Sequence, residues 1–172
     1  VEEIERLAAD VAGLRARVES AESVLAIHAL KAEYSQLVDR RFVRGQLLGE
    51  GALSALVARA ADLFTEDATW DGGPGLGVAV GRAAIADRLA ATTLSFGRHY
   101  FVSPRIEVDG DRAHGRWELL SPCRRPDGTS YWMAGYEDDE YRRVDGRWLH
   151  ASMRLTAVFM TPVGEGWTTI LA

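Results

Sequence analysis

The sequence predicts an α+β domain, helices first and then a long antiparallel meander that wraps around them as a cone. Three observations carry this reading. Apolar residues recur every three or four positions from Ile4 to Val38 and again over residues 52–64, which is helical spacing. From His99 onward, apolar and polar residues alternate at the period of a strand. Asp109-Gly110 and Asp145-Gly146, with Pro126 and Gly128 between them, break that second half into four strands near 98–109, 111–123, 129–144 and 147–160.

The elements follow in order. Ile4, Leu7, Val11, Leu14, Val18, Ala21 and Leu25 alternate spacings of three and four, the seam of a heptad helix that seeks a partner. Residues 1–22 are therefore set apart as an N-terminal amphipathic helix, an oligomerisation element or a helix docked on its own subunit, ahead of a domain over 23–172. Ser20 or Ser23 is the expected cap of a second helix, whose face is marked by Val24, Ile27, Leu30, Tyr34, Leu37 and Val38 and whose exit carries Asp39. After RGQLLGEG, residues 52–64 read as another helix and TEDATWD as a turn and strand. GGPGLGVAVG reads as loop and turn, and it is no dinucleotide fingerprint, because Val80 stands where the last glycine is required. GRAAIADRLAAT restarts as a short helix.

With 172 residues, 47% of them hydrophobic and 26% charged, the chain suits one compact domain with a sizeable core. A net charge of −5 with acids and bases interspersed argues against nucleic acid or an anionic membrane as partner. Cys123 is the single cysteine, so no internal disulfide framework exists, and a reducing compartment, the cytoplasm, is expected. The start VEEIER lacks the apolar stretch of a signal peptide, and no apolar run approaches the ~20 residues of a membrane span.

His99 is the best candidate for chemistry. A neutral imidazole that is held by a carboxylate and faces an apolar cavity takes a proton from carbon or water at neutral pH. Asp39, at a helix end where the dipole disfavours an acid, needs a compensating partner, and Arg40, Arg41 and Arg44 are the ordinary alternatives to a catalytic role. Tyr34 lies on the apolar helix face, where packing explains it as well as a catalytic phenol does. Alternation sets Trp117, Leu119 and Ser121 on one face, taken as inward, while the phase of Tyr131 and Met133 against Trp132 stays open. Phe64, Trp70, Trp117, Leu119 and Met133 are core residues that would also line a pocket. Cys123 reads as a passive thiol, EDDE at 137–140 as a solvated strand edge, and Arg154 as facing inward with His150 and Ser152, or outward. No metal site is expected, since His28, His114 and His150 lack ligand spacing.

The segments ALKAEYSQLVDRRF, LFTEDATWD, GRAAIADRL, HYFVSPRIEVDGDRAHGRW and YEDDEYRRVDGRWLHASMR resemble the SnoaL-like branch of the nuclear-transport-factor-2-like superfamily over about residues 24–160. Within it the chain is most similar to the group of scytalone dehydratase, lindane dehydrochlorinase and bile-acid 7α-dehydratase. The resemblance implies a cone-shaped α+β barrel, with Asp39 and His99 as a catalytic dyad and Tyr34 as a hydrogen-bonding phenol. It further implies that Trp70 lies near a substrate-contacting position and that Ser121 replaces a second catalytic acid. Serine delivers a proton to a leaving hydroxyl less readily than a carboxylic acid, so Ser121 departs from strict bile-acid-type dehydration.

The function expected is a cofactor-independent lyase, dehydratase-like, or an isomerase, acting on a hydrophobic oxygenated polycyclic or terpenoid-like molecule. The alternatives are a noncatalytic small-molecule-binding or assembly module, and a polyketide-cyclase-like or hydrolase-like enzyme in which the dyad activates water. A sheet apolar on both faces, together with the heptad helix, predicts a homo-oligomer: the heptad favours a dimer, the resembled group a trimer.

Overall fold

The computed structural model describes residues 1–164, so residues 165–172, the end of the expected domain, lie outside the described residues. Helix α1 (Glu2–Asp39) is continuous. The heptad segment and the expected second helix are one rod because ESAESVL contains neither Gly nor Pro to break it, and Ser23 is buried within the helix instead of capping one. Burial begins at Ser23 and recurs at Ile27, Leu30, Lys31, Tyr34, Leu37, Val38 and Asp39, one face of the helix.

A small hairpin of β1 (Phe42–Val43) and β2 (Gln46–Leu47) follows, then α2 (Glu50–Ala61), β3 (Phe64–Asp71), β4 (Val78–Val80) and α3 (Arg82–Ala90). β4 lies within the stretch read as loop and turn. The second half is β5 (Phe96–Gly97), β6 (Tyr100–Asp109), β7 (Arg112–Arg124), β8 (Ser130–Val144) and β9 (Arg147–Pro162), close to the strands expected. Asp145 and Gly146 both take positive φ, 49° and 77°, as a type I′ hairpin turn requires. The first hairpin turns one residue later than the Asp-Gly pair suggests. Asp109 pairs with Arg112, leaving Gly110, at φ 56°, and Asp111 as the turn.

The sheet corrects the expected cone. Its strands run β4-β3-β9-β8-β7, with β5 and β6 both on the outer edge of β7, and it is neither closed into a barrel nor strongly curled. Closure requires the edge strands to satisfy one another's backbone groups, but β4 is three residues long and pairs with β3 at one end, while β5 and β6 end the other. The sheet is also mixed, not antiparallel, because β3 runs parallel to β9. The long connection between them, which holds α3 and the other strands, supplies the crossover that a parallel pair needs. Helix α1 packs on β6 and β9, and α3 on β3 and β4. The core between helices and sheet includes Ile27, Tyr34, Phe64, Ile85, Trp117, Tyr141 and Met153.

Irregularities in β8 and β9 decide which side chains enter that core. Along β8, Gly135, Glu137, Asp139 and Tyr141 are buried, which settles the inward phase and sets Tyr131 and Met133 on the same face. Gly135 is required where β9 bulges toward it, since a Cβ there would stand 2.2 Å from the Thr156 carbonyl oxygen. A second register shift pairs Tyr141 with His150 but Glu140 with Ser152, leaving Ala151 as the extra residue. That bulge turns both His150 and Met153 inward and sends Arg154 out to Asp71, at 3.4 Å.

Candidate active site

Asp39 ends α1 and His99 immediately precedes β6, so the packing of α1 on β6 brings the two together. His99 Nδ1 lies 2.7 Å from Asp39 Oδ1, and Asp39 Oδ2 accepts the His99 backbone N–H at 3.3 Å. With Nδ1–H donating to the carboxylate, Nε2 carries the free lone pair. The acid at the helix end is compensated as the dipole demands. Arg98 Nη1 stands 3.5 Å from Asp39 Oδ2, and Arg41 Nε donates to the Val38 carbonyl in the same last turn. Asp39 is 7% exposed and the His99 side chain 20%, so the base sits at the edge of the interior with its carboxylate behind it.

An aromatic wall leads inward from the imidazole. Phe101 stacks on His99 at 6.1 Å between ring centroids, and Trp117 meets Phe101 edge-on at 6.5 Å. Leu119 pairs with Phe101 across the strands, and Ser121 pairs with Met133; Trp117, Leu119 and Ser121 are all buried, while Met133 is partly buried. Tyr34 belongs to a second group, packed edge-on against Phe64, and its hydroxyl accepts a 3.2 Å hydrogen bond from Trp70 Nε1. Burial, and then the charge of Glu137, hold the Tyr34 phenol well above its usual range, so it remains a proton donor. The structure thus joins Asp39, His99, Phe101 and Trp117 in one run, and Tyr34, Phe64 and Trp70 in another.

Between the two lies a charged cluster that the sequence reading missed. Lys31 is 1% exposed; its ammonium donates to Glu137 and, at 2.6 Å, to Asp139 Oδ2. The same nitrogen lies 4.2 Å from the Phe101 ring centroid and 5.8 Å from those of Tyr34 and Trp117. Tyr141 donates to Asp139 Oδ2 at 2.8 Å and accepts from Trp117 Nε1 at 2.8 Å. The EDDE run is therefore no solvated edge. Glu137 and Asp139 point inward, whereas Asp138 and Glu140 alternate to the outside. Burial alone would depress the Lys31 pKa, but the charges and hydrogen bonds of both carboxylates outweigh it and raise it. Burial and Glu137 push Asp139 up to about 6 against the pull of Lys31. One ammonium matches one carboxylate, and the second carboxyl is left reluctant to ionise.

His150 is fully buried against Phe64, Tyr34 and Tyr141, and neither ring nitrogen has a hydrogen-bond partner. Burial, then Lys31, depress its pKa well below 6.5, so it is neutral. Burial raises the Cys123 thiol despite Arg125, consistent with a passive residue. Among the described residues, no three His, Cys, Asp or Glu side chains are grouped to hold a metal ion. No described helix is long and apolar enough to cross a membrane. A polar groove of about 630 Å³ opens at the far end of β6, lined by Glu107, Asp109, Arg112 and His114, and shares no residue with the dyad.

A SnoaL-like domain model matches residues 19–154. The chain belongs to the SnoaL-like family. Solved structures carry the same fold. A type-2 hexachlorocyclohexane dehydrochlorinase is 22% identical with a TM-score of 0.73, over 87% of this chain and 95% of that one. A protein of Novosphingobium aromaticivorans provisionally named a scytalone dehydratase is 22% identical with a TM-score of 0.67, over 86% and 97%. A Mycobacterium tuberculosis protein of unknown function is 26% identical with a TM-score of 0.64, over 81% and 73%. No curated protein matches the chain. This SnoaL-like protein shares its fold with dehydratase- and dehydrochlorinase-type proteins, and its buried His-Asp pair is consistent with a catalytic dyad.

Proposed function

We propose that this SnoaL-like protein is a cofactor-independent lyase of the dehydratase kind, or an isomerase, acting on a hydrophobic oxygenated polycyclic or terpenoid-like molecule. The 2.7 Å contact between His99 Nδ1 and Asp39 Oδ1 carries the reading, because it leaves Nε2 as a base at the edge of an aromatic interior. His99 Nε2 removes a proton next to a carbonyl or a leaving group. Asp39 holds the tautomer and stabilises the imidazolium, a task that Arg98 at 3.5 Å moderates. Phe101 and Trp117 present flat aromatic surface to the substrate, and Leu119, Phe64, Trp70, Ser121 and Met133 complete the lining. The Tyr34 hydroxyl, already accepting from Trp70, has its own proton free to give to the oxygen that gains charge. Ser121 supports isomerisation or elimination of a good leaving group over strict loss of hydroxide, since it supplies no strong acid.

The test is a panel of such substrates, with wild type and His99→Ala compared by product analysis in ¹⁸O-labelled water. The expected result is product without label from wild type and a loss of about 10²- to 10⁴-fold in the variant, the range of general base catalysis. Equal turnover by His99→Ala would overturn the mechanism. Label in the product would favour the hydrolase reading, and saturable binding without product the binding module.

A further inference from the structure

The first three heptads of α1 expose an apolar stripe that the rest of the subunit does not cover. Ile4, Leu7, Val11, Leu14, Val18 and Leu25 are 73, 54, 46, 55, 54 and 68% exposed, whereas burial on this helix begins only at Ser23. A lone helix that leaves its seam in water gains little from folding, and most helical stability in proteins comes from packing an apolar face. The stripe therefore calls for an occupant, and the charges that flank it say which one.

With Ile4, Val11, Val18 and Leu25 at heptad position a and Leu7, Leu14 and Ala21 at d, Asp10 and Arg17 fall at g, and Arg15 and Glu22 at e. In a parallel, in-register pair, each g residue faces the e residue five positions further along the second copy. Asp10 then meets Arg15, and Arg17 meets Glu22, each in both directions, so every one of these charges finds its opposite. An antiparallel pair on the same seam sets Asp10 opposite Arg17 but leaves Arg15 and Glu22 without an opposite charge. β-Branched residues at most a positions, with Leu at d, select two strands. We propose that the N-terminal part of α1, residues 2–25, is a parallel, in-register two-stranded coiled coil whose partner is a second copy of this chain. It would run for about 36 Å at the helical rise and place both dyad-bearing domains at the same end.

The experiment is sedimentation equilibrium of the full chain, followed by single substitutions on the seam. Wild type is expected as a dimer. Leu14→Glu should raise the dimer dissociation constant at least tenfold with the circular dichroism of the domain unchanged, since Leu14 supports nothing within the subunit. Arg15→Asp should weaken the dimer, and Asp10→Arg added to it should restore the dimer. Leu7→Cys should crosslink to itself on oxidation, which the antiparallel arrangement forbids. A monomer at tens of micromolar, a trimer, or a dimer indifferent to Leu14→Glu would each overturn the proposal, the last by moving association to another surface. A charge swap that fails to restore the dimer would overturn the parallel register.

Discussion

Two sites in this molecule set a carboxylate against a nitrogen base, and they differ in almost everything else. Asp39 and His99 meet at the edge of the interior, where one imidazole nitrogen is committed and the other is free. Lys31, Glu137 and Asp139 meet in its centre, all at most 5% exposed, and every strong donor is spent on a fixed acceptor. The first arrangement keeps a proton site available to solvent. The second commits its charges to one another and ties α1 to β8, so its contribution is to hold the helix that carries Tyr34 and Asp39 at the right depth. Proximity of charges alone does not distinguish the two; the unspent nitrogen of His99 and its partial exposure do.

The contrast breaks first at the dyad. Asp39→Asn should cut turnover by about 10²- to 10⁴-fold and shift the His99 tautomer, read from its ring ¹⁵N chemical shifts, while the protein stays folded; unchanged shifts would detach the two residues in solution. Next in size is Lys31→Met, which strands two carboxyls in the core and should cost about 3–5 kcal/mol in urea unfolding. Adding Glu137→Gln and Asp139→Asn should recover part of that loss, and no recovery would mean that Lys31 acts through packing alone. A smaller effect follows pH. Asp139 is raised to about 6 in the folded protein from an ordinary 3.8, so it binds a proton that the unfolded chain releases. The stability it contributes is whole below about pH 4 and is lost as pH rises through 6, with Lys31, Glu137, Tyr141 and neutral His150 around it throughout. Buried, neutral His150 contributes the opposite slope, because below 6.5 the unfolded chain binds a proton at that imidazole and the folded protein does not. Asp139→Asn should therefore make the urea midpoint fall more steeply toward acid than in wild type across that window; parallel profiles would show that Asp139 does not titrate there. The smallest change is at Arg98, whose side chain is 51% exposed. Arg98→Ala should cost under about 1 kcal/mol, the ordinary worth of an exposed pair, and a larger loss would mean that Asp39 depends on it.

His99 and Asp39 were each legible as candidates, an imidazole at a strand start and an acid at a helix end that needs a partner, but their pairing across 60 residues was implied by the family resemblance and not by the local sequence. Most of the meander was legible, since alternation marks its strands and Asp145-Gly146 writes its last hairpin directly, whereas the turn after β6 falls one residue beyond its Asp-Gly pair. The buried triad was not. Lys31 sits between Ile27, Leu30 and Tyr34 on the apolar helix face, a signal present in the spacing, but a run of acids reads as solvated until a partner 106 residues away is placed against it. The open, mixed sheet was hidden for a related reason. Parallel pairing of β3 with β9 joins distant segments, and no turn residue announces it. The helix expected to restart near Ser23 shows the converse, where a good capping residue without a breaker beside it is simply absorbed.

Ala151 has an import larger than its size. As the unmatched residue between the His150 and Ser152 pairings, it works as a frameshift within β9. Strand residues on its two sides obey opposite parity, which is how His150 and Met153 share one face while Arg154 reaches Asp71 on the other. Removing this one alanine would leave His150 and Met153 two positions apart, on one face by simple alternation, with Arg154 still outward and every pairing to β8 kept. What the deletion would remove is the local bend and added twist of a bulge. A residue with a single methyl group thus sets the curvature of the strand beneath the buried triad, and its deletion should be better tolerated than the loss of any paired residue of β9, which would slide one side of the strand against the other.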